Sequence, residues 1–250
     1  MVTLGIILAM LITIYIGKKY NIKSSLIIDL SFVTIIGGLL GARIYEVLFV
    51  DPLYYFSNFL AIFKIWEGGL AIYGGMIGGG VALVIFIKKH FSGSWSEFYK
   101  FIAIIVPGLA LGQAIGRWGN YFNQEIFGLP TKLPWGIPIN LENRPELYLN
   151  NSFFHPAFLY ESLGNLVIFF ILFFLHDIIK KKGLNKPFLI ISLSYFFLYS
   201  ALRFLLEFIR LDETLLINGW RLSQIISLVI TIISFLFLLK IFIKKQHVKE

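Results

Sequence analysis

Residues 98–128 read FYKFIAIIVPGLALGQAIGRWGNYFNQEIFG, an apolar run that breaks off in glycine, arginine, asparagine and glutamate. The run Phe98–Ile115 is 18 residues long, close to the roughly 20 that a helix needs to cross a bilayer. Six further apolar runs lie on either side: Val2–Ile16, Leu26–Val50, Leu70–Ile87, Pro156–Ile179, Pro187–Ile209 and Leu222–Ile243. Of the 250 residues, 58% are apolar and only 14% charged, with mean hydropathy +0.80, whereas a soluble domain carries about a quarter charged residues. The expected fold is therefore an all-α integral membrane protein of about seven transmembrane helices. It forms a single domain, 1–250, with a small external cap over about 116–155 punctuated by Pro130, Pro134, Pro138 and Pro145. The chain has no cysteine, which excludes disulfides, thiolate metal sites and a cysteine nucleophile of its own. No metal-ligand spacing is present, and no cofactor is expected.

The net charge of +8 comes from 22 Lys+Arg against 14 Asp+Glu. In a membrane protein such an excess belongs at the cytoplasmic lipid surface, not on nucleic acid. Lysines follow the first run at positions 18, 19 and 23, so that helix is expected to be uncleaved with its N-terminus outside. The alternate loops then collect Lys88, Lys89, Lys100, Lys180, Lys181, Lys182, Lys186, Lys240, Lys244, Lys245 and Lys249 on the cytoplasmic side, with the C-terminus. All six arginines fall within spans or on the outer side. Lysine as an anchor needs only a point charge, whereas the planar arginine fork suits bidentate binding of phosphate. Asp51–Glu67 is rich in aromatics and reads as an interfacial helix.

Several clusters carry chemistry. In Gly112–Gly128, glycines allow close backbone approach, Arg117, Asn120 and Asn123 offer donors, and Glu125 can orient an arginine or take a proton. A helix end followed by a polar loop explains the glycines but not this density of donors and charge. Tyr199, Arg203, Glu207 and Arg210 fall at i, i+4, i+8 and i+11, along one helix face. Such charges must face the protein interior or a watery cavity. Glu207 between two arginines suits a structural ion pair, yet the excess positive charge calls for an anion. Arg43 and Glu46 form a similar pair, equally suited to packing or to ligand contact. Gly74, Gly75 and Gly78–Gly80 suit close helix packing, which does not account for Tyr73 between glycine pairs. His155, Tyr160 and Glu161 read as a structural network at the start of the fifth span. Taken alone, these features also suit an anion transporter or a non-enzymatic lipid-binding protein.

Together the stretches Gly41-Ala42-Arg43, Gly68 to Gly75, Gly116-Arg117-Trp118-Gly119-Asn120 to Glu125, His155-Pro156 to Leu159-Tyr160-Glu161, and Arg203 to Glu207 to Arg210 resemble the prolipoprotein diacylglyceryl transferase family of bacterial inner membranes. The resemblance covers nearly the whole chain in order. It implies a multi-pass enzyme of the inner membrane that moves the diacylglyceryl group of phosphatidylglycerol to the lipobox cysteine thiol in a prolipoprotein signal peptide. A thioether forms and glycerol phosphate leaves, the first step of lipoprotein maturation. The partners it implies are that lipid, the signal peptide and the surrounding membrane lipids.

Carried over by motif, Arg117 and Arg203 would hold the phosphate, with Asn120, Asn123, Gly128, Tyr199, Arg210 and Arg43 contributing to substrate binding. Glu125 would shape the pocket and Glu207 complete the face opposite, and one or the other would support the thiolate. Many family members have histidine at the place of Tyr73, so a histidine base does not carry over, and Tyr73 is expected to orient substrate. The N-terminus, Met1-Val2-Thr3-Leu4-Gly5, is shorter than the family's, which implies fewer contacts to the lipid or a start further upstream.

Overall fold

A computed structural model gives the structure of residues 1–91, 94–182, 186–212 and 214–246. Lys249 of the cytoplasmic set lies outside the described residues. The helices are α1 (Val2–Lys19), α2 (Ser24–Tyr45, continued by a wider turn over Glu46–Val50), α3 (Pro52–Ser57), α4 (Ile72–His90), α5 (Trp95–Phe122), α6 (Ala157–Lys182), α7 (Pro187–Leu206) and α8 (Leu222–Gln246). All but α3 are long and apolar enough to cross a membrane, making seven such helices among the described residues. The chain is an all-α, multi-pass membrane protein. Side chains such as Phe32, Met76, Phe174 and Leu236 point outward, as lipid-facing residues do.

Most helix ends lie a few residues from the sequence reading, and two of the differences bear on the site. Helix α5 runs on to Phe122, past Gly116 and Gly119. An interior glycine costs a helix only about 1 kcal/mol, which the interactions of Arg117 and Asn120 described below offset. Helix α7 stops at Leu206 with Glu207 as its C-cap, so Arg210 is delivered by the turn that follows and not by the helix face.

The chain divides into two compact units, residues 14–101 and residues 1–13 with 102–250. In the first, α2 and α4 meet through glycine. A Cβ added to Gly41 would lie 2.7 Å from the Gly78 Cα, and one on Gly78 would lie 2.8 Å from the Gly41 Cα. The two backbones therefore touch, which in lipid supplies the van der Waals contact that hydrophobic burial cannot. The expected interfacial helix over Asp51–Glu67 is three short pieces: α3 and tight turns at Phe59–Phe63 and Ile65–Glu67. Asp51 caps α3 by accepting from the Tyr54 N–H at 3.3 Å, and Pro52 fills the first turn. Leu53, Phe56, Phe59, Leu60, Phe63 and Trp66 are exposed, a row suited to the headgroup level.

In the second unit the start of α1 packs on α5. A Cβ on Gly112 would approach the Gly5 carbonyl to 3.2 Å, and one on Gly108 would meet the Thr13 hydroxyl at 2.7 Å. Ala103, Val106 and Ala110 of α5 form a core with Ile168 and Leu172 of α6 and Ile191 of α7. Pro107 lies inside α5 and has no N–H to give the Ala103 carbonyl one turn back. The buried His176 ring closes that gap, its Nε2 standing 2.9 Å from the Ala103 oxygen, which assigns the proton to Nε2.

The loop between α5 and α6 holds a short antiparallel ladder, β1 (Ile137–Pro138) with β2 (Phe153–Phe154), over a small core of Phe127, Ile139 and Phe154. After α7, β3 (Leu216–Ile217) and β4 (Trp220–Arg221) pair across Asn218-Gly219. Both turn residues have positive φ, 49° and 80°, the geometry that Asn-Gly hairpins favour.

Candidate functional site

The second unit gathers Arg117, Arg203 and Arg210 around Glu161. This carboxylate stands in the second turn of α6, 1% exposed. Its Oε1 accepts from Arg117 Nη2 at 2.7 Å, and its Oε2 lies 3.3 Å from Arg203 Nη1 and 3.4 Å from Arg210 Nη1. Three helix ends thus meet on one carboxyl group, from α5, α6 and α7. Glu207 pairs closely with Arg203 one turn away and faces Arg210 at 3.9 Å. Asp212 holds Arg210 in a fork, Nε at 2.7 Å and Nη2 at 2.9 Å. Arg221, from β4, donates to the carbonyls of Arg210 and Asp212. Its Nε lies 3.0 Å from Glu207 Oε2, yet neither atom has an aligned hydrogen bond. That contact is an attraction between charges and not a directed bond.

Charge is unbalanced here. Among the described residues, Arg117, Arg203, Arg210 and Arg221 stand against Glu161, Glu207 and Asp212, four positive charges to three negative, leaving +1. A buried excess charge is expensive unless an anion neutralises it. Glu125 belongs to the exposed edge, where water weakens its field. It accepts from Asn120 Nδ2 at 2.8 Å and Asn123 Nδ2 at 3.2 Å, and Asn120 Oδ1 in turn accepts from Arg117 Nη1 at 3.2 Å. Glu125 stands between Gln124 and Ile126, at φ 52° and 55°. A β-branched residue such as Ile126 seldom adopts that conformation, and here it accompanies the turn that presents the carboxylate.

Beyond the span, the Arg210–Asp212 pair sets its own protonation. Burial opposes ionisation of Asp212, but the hydrogen bond and charge of Arg210, with Arg221 added, outweigh it and hold the carboxyl below its ordinary range. Burial likewise opposes charge on Arg210, and the bond to Asp212 with the nearby carboxylates overcomes it, so its ordinary value is raised. Both groups stay ionised at neutral pH.

The other expected residues fall as follows. Gly128 is buried, its N–H bonds the His155 carbonyl at 2.9 Å, and it forms a bridge with Arg210. A Cβ there would meet the Ile209 carbonyl and His155 Cβ, each at 2.9 Å, so only glycine allows the approach that delivers Arg210. Tyr199 stacks on Tyr195 at 5.7 Å and is within electrostatic range of Glu161, Arg203 and Arg117. His155 and Trp135 both reach the Tyr160 hydroxyl, at 3.1 and 2.8 Å, so the expected network of His155, Tyr160 and Glu161 keeps its first two members while Glu161 joins the arginines.

Arg43 and Tyr73 lie in the first unit. Arg43, 7% exposed, donates to the carbonyls of Ala61, Ile62, Lys64, Gly68 and Gly69 and to the Tyr55 hydroxyl. These partners, and not Glu46, occupy its fork, and they explain why residues 51–67 break into pieces. Its donors take carbonyls that a continuous helix would use internally. Tyr73 is in the first turn of α4, 47% exposed, with its ring 6.5 Å from that of Tyr45.

Sequence reasoning left three members of the network outside the site: Glu161, Asp212 and Arg221. A carboxylate near the start of an apolar span was the available signal for Glu161.

The family model described as prolipoprotein diacylglyceryl transferase matches residues 1–240. The chain is similar to proteins named phosphatidylglycerol–prolipoprotein diacylglyceryl transferase. One from a strain of Prochlorococcus marinus is 35% identical over 272 residues, covering 100% of this chain and 88% of that protein. Another, from Synechocystis, is 39% identical over 223 residues, covering 88% of this chain and 75% of that one. The chain belongs to the prolipoprotein diacylglyceryl transferase family.

Proposed function

We propose that this chain transfers the diacylglyceryl group of phosphatidylglycerol to the lipobox cysteine thiol of a prolipoprotein signal peptide, the first step of bacterial lipoprotein maturation. The observation that carries the reading is the +1 excess, among the described residues, of the arginine network around Glu161 in a member of this family. A phosphodiester brings one negative charge and neutralises it. Arg117 and Arg203, which the family motif singles out and which are 20% and 15% exposed at the side chain, take the phosphate. Asn120, Asn123, Gly128 and Tyr199 shape the surroundings, and Asp212 fixes Arg210.

In the reaction the thiol loses its proton and sulfur bonds to the glycerol carbon that carries the phosphate. The bond from that carbon to oxygen breaks, the pair stays on oxygen, and glycerol phosphate leaves. Arginines preorganised on the phosphate stabilise that developing charge, an effect worth on the order of 10²-fold in rate for each donor. A thiol of pKa about 8.5 is only a few per cent ionised at neutral pH, so the step needs a proton acceptor or a positive field. Both Glu207 oxygens face arginines, which makes Glu207 a poor base. Glu125, exposed and held by two amides, suits that role better. Tyr73 enters this reading on its motif alone, as an orienting phenol.

The purified protein in nanodiscs of phosphatidylglycerol, given a lipobox peptide, should yield the thioether peptide and glycerol phosphate in equal amounts. No thioether from folded protein would contradict the function. The reading places the protein in the bacterial inner membrane as a single domain, 1–250, with the N-terminus outside, the C-terminus cytoplasmic and an external cap over about 116–155. In intact cells, a membrane-impermeant thiol reagent should label Lys132→Cys and Asn140→Cys but not Lys88→Cys or Lys180→Cys. Labelling of the last two would overturn the orientation.

A further inference from the structure

One face of α6 carries Glu161, Asn165, Ile168, Leu172 and His176 at helical spacing, each no more than 4% exposed. Within it Asn165 is fully buried, yet among the described residues neither its Oδ1 nor its Nδ2 has a hydrogen-bond partner. Buried polar groups are almost always paired, and an exception marks a missing partner. The amide lies one helical turn from Glu161, at i+4, where side chains stand about 5–6 Å apart at Cβ. Glu161 meanwhile is held unevenly. Its Oε1 bond to Arg117 is 2.7 Å, whereas its Oε2 contacts to Arg203 and Arg210 are long, at 3.3 and 3.4 Å.

A phosphodiester that takes Arg117 and Arg203 brings a second anion to the arginines that Glu161 now occupies. Two anions cannot share the same guanidinium donors, so the Glu161 carboxylate must give up part of its hold on them. The unpartnered amide offers a replacement, since its Nδ2 can donate to the displaced carboxylate.

We infer that Asn165 is the second seat of the Glu161 carboxyl, onto which Glu161 turns when a lipid phosphate takes the arginines. Asn165 is therefore a positioning residue for phosphodiester binding, idle in the lipid-free protein and engaged in the complex. The inference rests on the proposed function and deepens it.

The test separates the two states. Asn165→Leu removes an unsatisfied amide, so the lipid-free melting temperature in detergent should be unchanged or higher. Its Kd for phosphatidylglycerol should rise about tenfold, the scale of one hydrogen bond to a charged group, while kcat at saturating lipid stays within about twofold. Asn165→Ala should weaken binding as much without adding bulk, and Asn165→Gln, which keeps the amide, should recover most of the affinity. Wild-type affinity in Asn165→Leu or Asn165→Ala would overturn the inference. So would a lipid-free melting temperature that falls in step with affinity in both, since Asn165 would then serve the resting fold, for instance by holding a buried water. Failure of the wild type to bind phosphatidylglycerol or form thioether would instead remove the functional reading beneath it.

Discussion

Arg43 and Arg203 look alike in sequence: each is a guanidinium near the end of an apolar helix, with a glutamate three or four residues on. The fold uses them differently. Arg43 spends its fork on five backbone carbonyls and the Tyr55 hydroxyl, neutral acceptors that hold residues 61–69 in place. Arg203 faces two carboxylates, Glu161 and Glu207, within a network that, among the described residues, is one negative charge short. A guanidinium saturated by its own backbone has nothing left for a ligand. One held by an exchangeable carboxylate can trade it for a phosphate, and this difference separates scaffold from site.

The largest effect should come from Glu161→Ala, which leaves three arginines facing one another. Breaking a buried ion pair from one side costs about 3–5 kcal/mol. Denaturant unfolding should show a loss of that size, and a loss under 1 kcal/mol would mean that Glu161 is not the hub.

Arg43→Lys comes next, since an ammonium with three donors cannot serve this set of carbonyls. A loss of about 2 kcal/mol is expected, on the scale of one or two hydrogen bonds to a charged group. Proteolysis should accelerate within residues 51–69 while phosphatidylglycerol affinity per folded molecule is kept. A selective loss of lipid affinity would move Arg43 to the ligand side of the comparison.

Tyr73→Phe removes one hydroxyl and keeps the ring. An orienting role predicts about a tenfold fall in turnover, for a hydrogen bond of roughly 1–1.5 kcal/mol. Complete loss of turnover with lipid binding intact would instead make Tyr73 the base, since general base catalysis is worth about 10²–10⁴.

The smallest effect concerns Asp212. Its carboxyl is held below its ordinary range, so the stability it contributes is present above the unfolded value, near pH 4, and is lost as pH falls through the depressed folded value. The wild type should therefore lose stability on acidification from about pH 4 downward, and Asp212→Asn should lose less over that window. Parallel acid curves for the two proteins would remove Asp212 from the account.

The spans were legible because apolar length is a local property: runs near 20 residues bounded by lysine and glycine need no tertiary information. Helix ends were less so. Gly116 and Gly119 read as the end of a span, but Arg117 and Asn120 find partners that keep α5 helical to Phe122. In α7 the periodicity of Tyr199, Arg203, Glu207 and Arg210 suggested one continuous face, and the chain turns before Arg210 to bridge Gly128. The arginines of the site were visible as charges in apolar surroundings. Their common partner was not, because Glu161 lies 44 residues from Arg117 and 42 from Arg203 in sequence, and no spacing rule spans such distances. The fate of Arg43 was equally hidden, since its acceptors are carbonyls that every residue possesses.

The most direct measurement compares thioether formation by Arg203→Lys and Arg43→Lys in the same phosphatidylglycerol nanodiscs, normalised to folded protein. Lysine keeps the charge at both positions but loses the fork. The account predicts a fall on the order of 10²-fold for Arg203→Lys, with Arg43→Lys within about twofold of wild type. Equal losses at the two positions, or near-normal turnover of Arg203→Lys, would contradict it.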